Sequence, residues 1–186
     1  MKKTGVLLPI FSLPSKYGIG SFSFEAYEFV NFLSQSGVDY WQILPLVPID
    51  DTYSPYQSCS TFAGNPLFID LQGLYMDKLL TQEEIDSYEW TDGDKINYEQ
   101  VKKNKEELLW KAYLKYNYQD FYHMAFYELN QHWLIPYARY MSKKEGKHEN
   151  YYVFEQVVFN KQWVRLKRYA NYMGIKIIGD LPIYVS

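Results

Sequence analysis

Asp180 follows the apolar run Ile177-Ile178-Gly179 near the end of the 186-residue chain. A carboxylate at the end of a buried strand is poorly explained by packing, because an unpaired buried charge is costly. It can organise charge at a site or cap a turn. A second group is Ser54-Pro55-Tyr56-Gln57. Pro55 fixes the backbone, Tyr56 presents a flat ring with a hydroxyl, and Gln57 can both donate and accept hydrogen bonds. A sugar ring needs that mixture, one apolar face packed and its equatorial hydroxyls bonded, although an ordinary surface turn uses the same residue types. A third group, Gly18-Ile19-Gly20-Ser21-Phe22, could shape a loop or cradle a phosphate. It lacks the GxxxxGK[ST] pattern of a phosphate loop.

Other candidates fall away. Cys59 is the single cysteine, so the chain forms no internal disulfide and has no CxxC metal cluster. No His or Asn constellation accompanies it as a nucleophile would require. His123, His132 and His148 have no metal-ligand spacing and read as surface or satisfied core groups. No metal or diffusible cofactor is expected. The net charge of -3, with mixed signs throughout, gives no reason to expect nucleic acid or an anionic membrane as the main partner, and neither is expected. Residues 6–11 are too short for a signal-peptide core with a cleavage site, and no apolar run reaches the length of a membrane span. A soluble, cytoplasmic protein is expected. The 20 tyrosines fit a composition rich in Tyr, Asn, Lys and Ile, so their number alone does not point to sugar.

The elements that must position these groups follow from periodicity. Residues 4–10 read as a buried strand and residues 11–22 as a Gly/Pro/Ser-rich loop. Ser23 is placed as a helix N-cap, with Glu25 and Glu28 near the positive end of the dipole, and Gly37 stops that helix. Residues 40–46 form a second buried strand. A helix starting near Tyr151 and ending at Gly174 leads into a third strand from Ile175, continued through Val185. Strand, helix, strand is a βαβ unit, which builds parallel sheets. Between the second and third strands, residues 47–150 exceed an ordinary connection and must carry structure of their own. Thr81 to Glu84 forms a capping box, and helices are expected over 101–116, 121–129 and 135–144, the last with Pro136 in its first turn. Residues 143–150 read as an exposed connector, and the KK and KR pairs as solvated helix faces.

Three segments in order, LPSKYGIGSF (13–22), SPYQSCSTFAGNPLFIDL (54–71) and IIGDLPIYVS (177–186), closely resemble signatures of the amylomaltases, or 4-α-glucanotransferases. YWQILPL (40–46) also matches, and KQWVRLKRYANYMGI (161–175) does so more loosely. All three sit at C-terminal ends of strands, where a (β/α)8 barrel gathers its site. The resemblance implies an α/β fold: the first three strands of an incomplete (β/α)8 TIM barrel with a long, mainly helical insertion between strands 2 and 3. The expected parts are 1–46 (strands 1 and 2 with the first helix), 47–150 (substrate loop and helical insertion) and 151–186 (helix and strand 3).

By the same resemblance, Ser54, Tyr56 and Gln57 lie along a glucan cleft near its non-reducing side. Gly18, Gly20, Asn65 and Pro66 shape that cleft, and Asp180 supports an arginine beside the nucleophile. Some relatives place a substrate-stacking tyrosine three residues before the serine; here Asp51 stands there and Tyr53 is the neighbouring candidate. The implied reaction is retaining transfer of α-1,4-glucan segments between maltooligosaccharides. Its catalytic Asp and Glu are expected on later strands, absent from these residues. A barrel needs at least about 200 residues. The chain therefore reads as a fragment, inactive alone, whose partner is the remainder of the barrel, from the same gene or a split one. The other reading is a non-catalytic glucan-binding or interaction module.

Overall fold

The computed structural model describes residues 2–91 and 95–181. Three short strands, β1 (Gly5–Leu7), β2 (Tyr40–Gln42) and β3 (Lys176–Ile178), form a parallel sheet in the order β1-β2-β3. Val6, Trp41 and Ile177 stand in register across it. Trp41 is fully buried, and its indole N–H donates to the Leu8 carbonyl at 2.8 Å.

The continuous apolar run of the first strand does not make it buried throughout. Side chains alternate across a sheet. Val6 and Ile177 pack against the core, whereas Leu7 and Ile178, on the opposite face, are 56% and 43% exposed. Regular pairing is also shorter than the runs at 4–10 and 40–46. Ile10 turns into a 3₁₀ segment after Pro9, which has no N–H to give, and Pro45 interrupts the second run. The expected continuation of the third strand beyond Leu181 lies outside the described residues.

Helix α1 (Phe24–Gln35) links β1 to β2 and buries Ala26, Val30 and Leu33. Ser23 is its N-cap residue, but its hydroxyl donates to Glu25 Oε2 rather than accepting from the backbone. Gly37, at φ +69, supplies the left-handed turn that ends the run.

Between β2 and β3 come α2 (Leu71–Met76), α3 (Gln82–Asp86), α4 (Tyr98–Leu114), α5 (Phe121–Glu145) and α6 (Glu149–Tyr172). Thr81 and Glu84 make both bonds of the capping box that opens α3. The two helices expected over 121–129 and 135–144 are one, with Pro136 inside it. Proline removes one backbone bond. Here it stands on the exposed face, while Leu134, Tyr137, Ala138 and Met141 bury around it and hold the helix straight through. Gly146, at φ +82, turns α5 back into α6, whose N-cap is His148, its Nδ1 accepting from Asn150 N–H at 3.2 Å. The expected connector at 143–150 is therefore mostly helix end and cap. Helix α6 is the centre of the core: Tyr151, Tyr152, Phe154, Val157 and Leu166 are all buried. Among the described residues no helix is long and apolar enough to cross a membrane.

Candidate functional site

The strand ends define one edge of the molecule. Past β2 the chain runs out through Leu46 and comes back to it at Asn65, whose N–H donates to the Leu46 carbonyl at 2.8 Å. This bond closes the base of a loop over residues 46–65 that carries Ser54, Tyr56 and Gln57. Past β3, Asp180 lies half-buried two residues beyond the strand. The loop reaches across to it, and Tyr56 Oη donates to Asp180 Oδ2 at 2.7 Å. The carboxylate raises the tyrosine's pKa, because it accepts the phenolic proton and disfavours a second negative charge beside it.

Within the loop the order is local. Ser54 accepts from Tyr56 N–H at its hydroxyl and from Gln57 N–H at its carbonyl. The Thr52 hydroxyl stands between the Gln57 amide oxygen, at 3.1 Å, and the Asp50 carboxylate. Hydrogen bonds from the Thr52 hydroxyl and backbone hold the Asp50 carboxyl below its ordinary value. Tyr56 is 41% exposed and Gln57 is exposed. A ring, an amide and hydroxyls at an open strand-end edge can stack against and hydrogen-bond a polyhydroxylated ligand.

Tyr53, the candidate for the missing stacking position, packs against α4. It adopts φ +57, and its ring stacks on Tyr98 of α4 with centroids 4.6 Å apart and planes 12° from parallel. Both rings and Asp51 line a cavity of about 360 Å³.

Asn65 and Pro66 begin the 3₁₀ turn Pro66–Phe68: the Asn65 side chain caps it by accepting from Leu67 N–H at 3.0 Å, and Pro66 stands at its first position. Asn65 is buried at 4% exposure. Gly18 has φ +73, and Gly20 packs so closely on Ile10 and Leu13 backbone that an added Cβ would sit 2.0 Å from the Ile10 oxygen. Both glycines fix the fold of the segment after β1, and Ser21 beside them is buried.

The remaining candidates have other surroundings. Cys59 is exposed as a residue, yet partial burial of its sulfur pushes the thiol pKa up, the reverse of an activated thiolate. His123 packs among Tyr116, Tyr118 and Tyr127; burial lowers its pKa, and its Nδ1 has no hydrogen-bond partner among the described residues. Among the described residues no group of three or more His, Cys, Asp or Glu side chains is arranged for a metal ion.

Sequence reasoning passed over Thr52, Lys105, Gln156 and Gln162, which secure the loop and its base. Signals existed for the glutamines, two amides inside the apolar stripe of one helix.

Comparison with known proteins identifies the family. The family model described as 4-alpha-glucanotransferase matches residues 8–150 and 142–186. The 4-alpha-glucanotransferase of Clostridium butyricum is 40% identical over 95% of this chain and 43% of its own length. That of Aquifex aeolicus is 37% identical over all of this chain and 44% of its own. The solved amylomaltase of Streptococcus agalactiae in complex with acarbose superposes with a TM-score of 0.91 at 32% identity, covering all of this chain and 44% of that one. The amylomaltase of Corynebacterium glutamicum, at 18% identity and a TM-score of 0.81, shares the fold. The chain thus spans less than half the length of the relatives it matches. It belongs to the 4-alpha-glucanotransferase family.

Proposed function

We propose that these residues form the N-terminal, glucan-binding part of a 4-α-glucanotransferase that passes α-1,4-glucan segments between maltooligosaccharides. The observation that carries the reading is the hydrogen bond from Tyr56 to Asp180, which joins the loop after β2 to the end of β3. In a (β/α)8 barrel those strand ends face one cleft. The sheet supports such a barrel, since Leu7 and Ile178 offer an uncovered apolar face on the side away from α1 and α6. Further parallel strands would cover it and pair its open edges.

On this reading Ser54, Tyr56 and Gln57 bind the glucan, with Gly18, Gly20, Asn65 and Pro66 setting the shape of the cleft. Asp180 accepts from Tyr56 at one oxygen and keeps the other for an arginine beside the nucleophile. The reacting aspartate and glutamic acid come from sequence outside these 186 residues. The aspartate attacks the anomeric carbon while the glutamic acid protonates the departing glycosidic oxygen, leaving a glycosyl-enzyme. The 4-hydroxyl of an acceptor sugar then attacks that carbon and gives its proton to the glutamate, which restores an α-1,4 bond and both catalytic groups. The chemistry balances without a cofactor.

The test compares the full-length protein with the 186-residue chain on maltotriose. The full-length protein should release glucose and longer dextrins, and the shorter chain neither. Transfer by the shorter chain would overturn the assignment of the catalytic carboxylates, and inert full-length protein would overturn the activity.

A further inference from the structure

Two glutamines stand in the buried face of α6, where a side-chain amide must find its partners inside the protein. Gln156 is 1% exposed and Gln162 is 8% exposed. Each closes a two-point bond with a single residue. Gln156 Oε1 accepts from Gly64 N–H at 2.7 Å while its Nε2 donates to the Gly64 carbonyl at 3.0 Å. Gln162 treats Asp70 in the same way, at 2.7 and 3.1 Å. The side-chain amides thus act as peptide groups, pairing with the chain edge as a neighbouring strand would. Both pairs are separated by 92 residues, so one stretch of chain is laid along one helix, with anchors about 9 Å apart on its axis.

The first anchor is at the base of the substrate loop. Gly64 precedes Asn65, which closes the loop on Leu46. Gly64 also lies flat on Phe159, where an added Cβ would fall 2.2 Å from the ring. Helix α6 then runs through Gly174 into β3 and on to Asp180. One rigid helix therefore carries both the base of the loop that presents Tyr56 and the strand that presents its partner.

We propose that Gln156 is a positioning residue, fastening the substrate loop to α6 so that Tyr56 is held against Asp180 for glucan binding; its value to catalysis rests on the function proposed above. Gln162 secures the far end of the same segment. Neither touches the reacting atoms.

Gln156→Glu separates positioning from bulk. The shape is kept, but an ionised carboxylate sets a second acceptor against the Gly64 carbonyl, whereas the protonated acid restores one donor and one acceptor. Gln156→Met, of similar length and uncharged, removes the clamp without burying a charge. Fluorine NMR of this chain with fluorotyrosine in place of Tyr56 reads the loop directly, and Asp180→Asn gives the signal of a released ring. Gln156→Met should move the signal most of the way to the released position. Gln156→Glu should do so as rising pH ionises the buried acid and return near pH 5, where the acid recovers its proton. In the full-length protein, the KM for maltooligosaccharides should rise more than kcat falls, with the same recovery in acid. A signal that stays at its original position in both folded variants overturns the proposal. If the unsubstituted full-length protein transfers no glucan, the activity reading fails while the fluorine signal still decides the clamp.

Discussion

Residues 54–60 and residues 64–70 belong to one continuous stretch between β2 and α2, yet they are held by opposite means. The first part is open to solvent and ordered by its own hydroxyls: Ser58 donates to the Ser60 carbonyl, and Ser60 Oγ accepts from Phe62 and Ala63 N–H. Its long-range polar tie is the bond from Tyr56 to Asp180. The second part is buried and gripped from two helices. Gln156 and Gln162 hold its ends, and Lys105 of α4, 1% exposed, donates to the Leu67 and Ile69 carbonyls at 2.6 and 2.9 Å. Anchoring and ligand presentation are thus divided between neighbouring residues. The anchored half can be costly to disturb because its polar groups have no water to turn to. The presenting half can vary with little effect on folding.

The largest effect should come from Gly64→Ala. Its Cβ would enter the Phe159 ring at 2.2 Å, and neither the clamped backbone nor a ring packed on Phe22 has room to yield. A loss of about 3 kcal/mol or more is expected in urea unfolding, partly recovered by Phe159→Leu. Ser60→Ala, four residues earlier, should cost under about 1 kcal/mol. Equal losses at the two positions would erase the distinction between the halves. Next is Lys105→Met, which leaves two buried carbonyls without donors and should cost about 2–3 kcal/mol by the same measurement. The lysine itself is well suited to neutrality. Burial lowers its pKa to about 7, and a neutral amine keeps two N–H donors, the number that the two carbonyls use.

What the sequence made legible follows the same division. The presenting residues announced themselves by type: a proline, a ring and an amide in a row, and a carboxylate after an apolar strand. Helix α1 was readable from Ala26, Phe29, Val30 and Leu33 at helical spacing, and α3 from its capping box, because both signals are local. For the anchoring side chains no local pattern named the partners. Lys105 sits among Lys102 and Lys103, and nothing in a run of lysines tells which one faces inward. Gln156 and Gln162 find their partners 92 residues away, which no local pattern records. Pro136 misled for a related reason. It favours a helix start when only its neighbours are considered, but the burial of Leu134 and Tyr137 decides the matter from outside the helix.

A third effect, of intermediate size, tests burial on α6 by pH. Burial raises the Glu155 carboxyl to about 8 from an ordinary 4.5. Between those values the folded chain keeps a proton that the unfolded chain releases, so stability falls as pH rises through that window. Glu155→Gln, permanently neutral, should match the parent near the acidic end and exceed it increasingly toward pH 8, by roughly 2–4 °C in Tm for each kcal/mol gained. Lys105 works in the opposite sense above about 7, where the unfolded chain holds the extra proton and stability recovers with pH. Parallel melting curves for parent and variant across this range would place Glu155 in contact with water.

The smallest effect on folding, and the most informative about the presenting half, is expected from Tyr56→Phe. The substitution keeps the ring and removes the donor to Asp180, and because the side chain is open to solvent, Tm should not move. The consequence should appear instead in the full-length protein. A glucan that only stacks on the ring would be used as before, whereas one that depends on the loop's approach to Asp180 would show a raised KM. Tyr56→Ala, which removes the ring as well, should weaken glucan use further, still without a fall in Tm. Unchanged kinetics across oligosaccharide lengths in both variants would take Tyr56 out of the cleft. A fall in Tm matching that of Lys105→Met would show that the presenting half carries stability after all, because an exposed bond lost to water cannot cost what an orphaned buried carbonyl does.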